Sequence, residues 1–349
     1  MASDTENGTP TIDARLAAVV GAYDVRGVVG DDLTEEVVEA LAAAFVDEVG
    51  AAGSSVVVGH DMRDSSPAFA AAFARGATTR GADVVAIGLC STDESYFASG
   101  SLQLPAAMFT ASHNPATYNG IKFSRAGAEA MSRATGLGAI SARASAYLDS
   151  GIPDAGARGS VSERDVLADY AGYLRSLVPL DGIRPLTIVV DAGNGMGGLT
   201  VPAVLETAAG LPALPLTIIP LYFELDGTFP NHEANPLEPK NLVDLQKAVV
   251  EHGADLGLAF DGDADRCFVV DERGQAVTPS AIAAIVALRE IARARREAPD
   301  EEIHVIHNLI TSRIVPETIE AAGATPVRTK VGHSLIKDEM RRTGAVFGG

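Results

Sequence analysis

One arrangement of apolar and polar positions recurs three times along the chain. An apolar run is followed by a polar turn, a stretch of helical period and a second apolar run. The first copy is SSVVVGHDMRDSSP (54–67), a helical stretch to Arg80 and VVAIGL (84–89). The second is LTIVVDAGNGMGG (186–198), VPAVLETAAG and LTIIPL (216–221). The third is EIHVIHNLITS (302–312), VPETIEAAG and TPVRT (325–329). Within each copy the two runs begin roughly two to three dozen residues apart, the reach of one parallel βαβ crossover. Copies recur from Val58 to Val190 to Ile306, a spacing of domains rather than of a solenoid. The expectation is therefore an α/β protein of three successive, similar domains built on mixed sheets, the third incomplete because the sequence stops at AVFGG.

Turn-forming stretches set the expected boundaries. SGIPDAGARGS (150–160) is rich in Gly, Pro and Ala and should close a first domain, 1–160. A helix, DVLADYAGYLRSLV, then leads into a second domain, 161–275, which ends at the hairpin turn VDERGQA (270–276). A long helical run (279–296) opens the third, 276–349. The start, MASDTENGTPTIDARL, reads as a short flexible polar tail without the basic and apolar regions of an export signal.

Composition narrows the function classes. With 47% hydrophobic but only 5% aromatic residues, the chain suits packed α/β layers. A net charge of −19 argues against nucleic acid and anionic membrane surfaces as main partners. An anionic small ligand stays open, because a local Arg/Lys cluster outweighs the global field at short range. Cys90 and Cys267 flank apolar runs and read as small core residues, with no disulfide framework, which points to the cytoplasm. No stretch approaches the length of an apolar membrane span. Oligomeric state leaves no mark in the pattern.

Several short stretches carry candidate chemistry. TASHNP (110–115) follows the apolar run Pro105 to Phe109, so Ser112 is either a nucleophile at a cleft or part of a polar turn closed by Pro115. In LGLAFDGDADRCFVV (256–270), Asp261, Asp263 and Asp265 alternate between two apolar runs. Convergent carboxylates repel unless a cation joins them, and a hard divalent ion takes oxygen ligands. A solvated hairpin turn is the plainer alternative. An EF-hand fits poorly, since Arg266 takes the sixth place although Glu272 fills the twelfth. AGNGMGG (192–198) places Gly193, Gly195 and Gly198 as GxGxxG between strand and helix, either for a nucleotide or for close packing. Glu224 and Asp226 lie too far on for the usual ribose contact. AYDVRGVVG (22–30) sets Tyr23 and Arg26 in a Gly-flanked segment that can approach a phosphate. TYNGIKF (117–123) follows the serine loop, and a hairpin there would return Lys122 towards Ser112. RTKVGHSLIKDEM (328–340) carries Lys330 and presents His333 and Lys337 at a helix start.

Taken together, the motifs resemble those of the α-D-phosphohexomutases, in particular the phosphomannomutase/phosphoglucomutase branch. The residues concerned are YDVRG (23–27), TASHNP, NGIKF (119–123), VVDAGNGMGG (189–198), FPNHEANPLEPKNL (229–242), DGDADR (261–266) and VGHS (331–334), in the family's order. PNHEANPLEP resembles the hexose branch more than the phosphoglucosamine mutases. The resemblance implies interconversion of hexose 6-phosphate and hexose 1-phosphate, of mannose or glucose, through a phosphoserine at Ser112 and a hexose 1,6-bisphosphate. It implies Mg²⁺ on Asp261, Asp263 and Asp265 against the Ser112 phosphoryl oxygen. Arg26, Arg266 and Lys122 would offset phosphate charge, Lys122 and His333 are acid/base candidates, and His113 and Asn114 would orient the serine loop. Tyr23 and Lys330 complete the phosphosugar-binding set, while Asn194 and its glycines are expected to be structural.

The sequence departs from the family pattern in two places. Ala264 stands where many members have glycine, and the chain ends at Phe347-Gly348-Gly349, before the family's sugar-recognition loop and fourth domain. The expectation is a preserved phosphoserine and metal site with weak turnover, because distal phosphate contacts orient the substrate. An inactive phosphosugar- or metal-binding fragment and a nucleotide-dependent enzyme are the alternatives.

Overall fold

In a computed structural model of the protein, residues 12–180 and 182–349 are described. Each βαβ copy builds its own sheet. The first has seven strands: Val25–Val28, Tyr118–Arg125, Ala106–Phe109, Ser55–His60, Asp83–Leu89 and Val161–Glu163 in spatial order, with Glu129–Ala130 attached to Tyr118–Arg125. Ala106–Phe109, Ser55–His60, Asp83–Leu89 and Val161–Glu163 run parallel, and Tyr118–Arg125 is antiparallel to both of its main neighbours. The second sheet orders Cys267–Val270, Leu256–Phe260, Leu186–Asp191 and Leu216–Leu221, the first of these antiparallel. Thr325–Thr329, His304–Asn308 and Phe347–Gly348 form a parallel third sheet.

The largest core lies under the first sheet. Helices Glu35–Val49, Ser66–Thr79 and Leu137–Ser150 cover one face, and their apolar sides meet Phe109 and Phe123 from the strands. Phe45 stacks on Phe123 with ring centres 4.7 Å apart, and Phe73 meets Phe109 edge-on at 5.8 Å. This packing anchors the strand that ends at the serine loop. Thr34 and Thr278 cap the helices Glu35–Val49 and Pro279–Glu297 through their hydroxyls, satisfying donors that would otherwise be orphaned at the helix start.

Three expectations change. The expected tail lies partly outside the described residues, but Ile12–Val19 is helical and buries Leu16 and Val19. The apolar period of IDARLAAV was short enough to be hidden by its polar start. Residues 150–160 do not end the first sheet, because Val161–Glu163 adds a strand along Asp83–Leu89. Cys90 is buried as expected, but Cys267 is exposed, since it opens an edge strand of the second sheet. Among the described residues, no helix is long and apolar enough to cross a membrane.

Candidate active site

Ala106–Phe109 is buried throughout and pairs antiparallel with Tyr118–Arg125, Met108 opposite Lys122. The chain therefore reverses across 110–117 in a hairpin that places Lys122 opposite Met108. Ser112 adopts a positive φ of 51° and its N–H donates to Thr110 Oγ1 at 2.9 Å. Such a conformation in a non-glycine residue persists only where the surroundings impose it.

Arg63 imposes it. The side chain is 1% exposed and its two terminal nitrogens donate to four backbone carbonyls of the loop. Nη2 reaches Ser112 O at 3.0 Å and Asn114 O at 2.7 Å, while Nη1 reaches Pro115 O at 2.8 Å and Tyr118 O at 2.9 Å. Asp61, fully buried, supplies the counter-charge at 3.3 Å. The planar fork of guanidinium suits this task in a way that a lysine would not. Sequence reading missed Arg63. Its only local signal was an acid and a base two positions apart, directly after a buried strand.

The second loop, Asp261 to Arg266, joins the hairpin strands Leu256–Phe260 and Cys267–Val270. Asp261 and Asp263 are fully buried, Asp265 partly, and one carboxylate oxygen from each lies within 4.8 Å of the others. Ser112 Oγ donates to Asp261 Oδ2 at 2.8 Å, joining the two loops across 149 positions of chain. Arg266 binds the same carboxylate through its backbone N–H and its guanidinium, and its Nη2 also donates to Ser112 Oγ and His113 Nδ1, each at 2.6 Å. Lys122 Nζ donates to Asp263 Oδ2 and Asp265 Oδ2, both at 2.6 Å. Thr92, opening the helix Thr92–Leu102, donates its hydroxyl to Asp263 Oδ2 at 2.6 Å and its N–H to Asp263 O at 3.1 Å. Thr92 was also missed, although Ser91-Thr92-Asp93-Glu94 is a capping signature directly after a strand.

The donor set suits a hard divalent cation. All three side chains offer carboxylate oxygens, and Asp263 Oδ1 is buried without a hydrogen-bond partner. Burial works against the charge of Asp263, but Lys122 and Thr92 outweigh it and hold the carboxyl well below its usual range. Burial likewise opposes the charge of Lys122, and Asp263 and Asp265 outweigh it, so the lysine stays protonated. Burial, then Arg266 and Arg26, push the His113 imidazole down.

Close packing of the two loops requires glycine. A Cβ on Gly262 would overlap Ser112 O, and one on Gly195 would lie 2.7 Å from Gly262 O. Met196 N also donates to Gly262 O at 2.9 Å. The close approach that AGNGMGG permits is thus taken by protein backbone.

The remaining expected residues divide. Tyr23 and His333 pack edge-on with ring centres 5.7 Å apart. Desolvation, then the cations Lys337 and Lys122, hold the His333 imidazole down at about 4. Arg26 binds Asp24 at 2.9 Å through Nε, and its Nη1 is buried without a partner. Asn114 joins the loop through its backbone carbonyl, and Lys330 is exposed and stands outside the hydrogen-bond network around Ser112.

Comparison with known proteins agrees with this geometry. Residues 17–146, 168–274 and 278–349 match the family descriptions "Phosphoglucomutase/phosphomannomutase, alpha/beta/alpha" domains I, II and III in turn. A phosphomannomutase of Salmonella montevideo is 38% identical over 94% of this chain and 70% of its own length. A Xanthomonas campestris protein named "Phosphohexose mutases" shows the same identity and coverage. The crystal structure of a phosphoglucomutase/phosphomannomutase family protein from Burkholderia thailandensis superposes with a TM-score of 0.84 at 32% identity, covering 95% of this chain and 70% of that one. The chain belongs to the phosphoglucomutase/phosphomannomutase family.

Proposed function

We propose that the protein is an intramolecular phosphotransferase that interconverts hexose 6-phosphate and hexose 1-phosphate, with Ser112 as the phosphoryl carrier. The observation that carries this reading is the position of Ser112 Oγ, between Asp261 Oδ2 at 2.8 Å and Arg266 Nη2 at 2.6 Å. In the forward half, the bond from phosphorus to Ser112 Oγ breaks and one to a sugar hydroxyl oxygen forms, giving a hexose 1,6-bisphosphate. The other phosphate then returns to Ser112 after the intermediate turns round. Such transfer depends on alignment and charge neutralisation more than on covalent devices.

Each neighbouring group has a part in this. Asp261, Asp263 and Asp265 would hold Mg²⁺, which when bound offsets phosphoryl charge beside Ser112. Arg266 and the unpartnered Nη1 of Arg26 offer donors to phosphate oxygens. Lys122, held protonated, serves as a charge clamp rather than a base. His333, neutral at pH 7, is the group we assign to take the sugar hydroxyl proton. Tyr23, His113, Asn114 and Lys330 would line the phosphosugar's approach.

The test is an intact mass with site mapping after incubation with Mg²⁺ and glucose 1,6-bisphosphate. One phosphoryl group should appear on Ser112 and be absent from Ser112→Ala and Asp263→Ala. A folded chain that gains none would leave the binding-only alternative and remove the transfer reading.

A further inference from the structure

Away from the serine loop, a second opening runs along the parallel strands Ser55–His60, Asp83–Leu89 and Val161–Glu163 and reaches their carboxyl ends. This cavity of ≈ 640 Å³ runs along the helix Ser66–Thr79 and reaches Leu199 of the second unit. That is the size of a small-molecule site, and the ends of parallel strands are where such sites form in open α/β sheets. Ala70, Ala71 and Ala74 line it on one side, Ile87, Leu89 and Val161 on the other.

Its inner lining includes a buried, unpartnered acceptor. Glu94 is only 2% exposed, yet its Oε2 is buried without a hydrogen-bond partner. Capping does not explain that oxygen. The Glu94 N–H donates to Ser91 Oγ at 3.1 Å, and the Ser91 N–H serves the Glu94 carboxylate in return. One oxygen satisfies that reciprocal arrangement, and the other, on a residue that lines the cavity, is left without a partner. His60 Nδ1 lies 2.8 Å from the carbonyl Asp61 O, which can only accept. Nδ1 therefore donates to that carbonyl. Glu163 and Asp165 add negative charge at the rim, against the single guanidinium of Arg164. An orphaned buried carboxylate oxygen is unfavourable by about 1–3 kcal/mol until a donor reaches it.

We propose that this cavity binds a small organic cation, a primary amine on an apolar body, with its ammonium on Glu94 and its body against the alanines of Ser66–Thr79. Burial, opposed by the Ser91 N–H and reinforced by Asp165, raises the carboxyl of the empty cavity to about 7, as expected of an acid whose counter-ion is a ligand. The site also touches the chemistry. Glu94 sits in the same helical turn as Thr92, which holds Asp263.

Benzylamine and the near-isosteric benzyl alcohol test this on the full chain, by methyl NMR of Ala70, Ala74, Ile87 and Leu89. Both probes should shift these methyls, with benzylamine binding about tenfold tighter, the expected worth of a charged hydrogen bond. Glu94→Gln keeps the capping arrangement and should bring the two affinities to within about twofold. Ala71→Phe, which narrows the cavity without touching Glu94, should weaken both. No shift at these methyls, equal affinities in the wild type, or a preference surviving in Glu94→Gln would each overturn the proposal.

Discussion

The turns that follow the first strand of the first and third βαβ copies occupy equivalent places and do opposite things. After Ser55–His60, the turn buries Asp61 and Arg63 and uses the guanidinium to hold the loop that presents Ser112. After His304–Asn308, the turn bonds itself and, through Ser312 N at 3.1 Å, the Ser280 hydroxyl of the helix Pro279–Glu297. The Asn308 side chain accepts from Ile310 N and Thr311 Oγ1, while Leu309 and Ile310 stand 57% and 78% exposed. The second copy resembles the first, its glycine turn packing against Gly262 of the aspartate loop. The reactive residues thus do not lie on these βα turns. They lie on loops from neighbouring strands, and the turns of the first two copies brace those loops. The first turn is buried and charged where the serine loop depends on it, whereas the third is exposed and, among the described residues, bonds itself and Ser280.

The largest test of that contrast is Arg63→Met. It removes four donors to loop carbonyls and leaves Asp61 buried without its counter-charge. Unfolding in urea should show a loss of about 3–5 kcal/mol, and a loss of a few tenths would end the idea of a brace. Gly262→Ala comes next. Its methyl group overlaps Ser112 O, so stability should fall by about 1–3 kcal/mol while phosphoryl uptake at Ser112 falls further, because the two loops must separate.

A smaller effect concerns the helix start beside the first turn. The Glu94 carboxyl is raised from 4.5 to about 7, above its unfolded value, so folding takes up a proton between those limits. Stability should therefore be fullest below about 4.5 and decline as pH rises towards 7. Glu94→Gln should flatten that decline by on the order of 1 kcal/mol in urea titrations across the window; an unchanged slope would show that the carboxyl is solvated. Smallest of all, Ile310→Ser in the third copy should alter stability by no more than about 0.5 kcal/mol. A loss like that of Arg63→Met would mean that the third turn is a brace as well.

Much of the architecture was legible in the chain because its signals are local. Apolar runs bounded by turns placed Ser55–His60, Leu186–Asp191 and His304–Asn308, and the helical period placed the crossovers between paired strands. Ser112 and the three aspartates were visible as polar residues where buried strands end. The helix Ile12–Val19 and the strand Val161–Glu163 escaped notice because each is short, and the environment that stabilises them comes from distant segments.

By itself, then, the sequence determined which elements form and which reactive side chains stand at their ends, since periodicity and strand termination act over a few residues. Which groups meet was decided by the docking of one sheet on another. Lys122 lies 141 positions from Asp263 and 143 from Asp265, yet bonds both. Arg63 lies 49 to 55 positions from the carbonyls it holds, and no spacing rule connects them. A buried charge takes its partner from whatever the fold brings within about 3 Å, and that neighbourhood exists only in three dimensions.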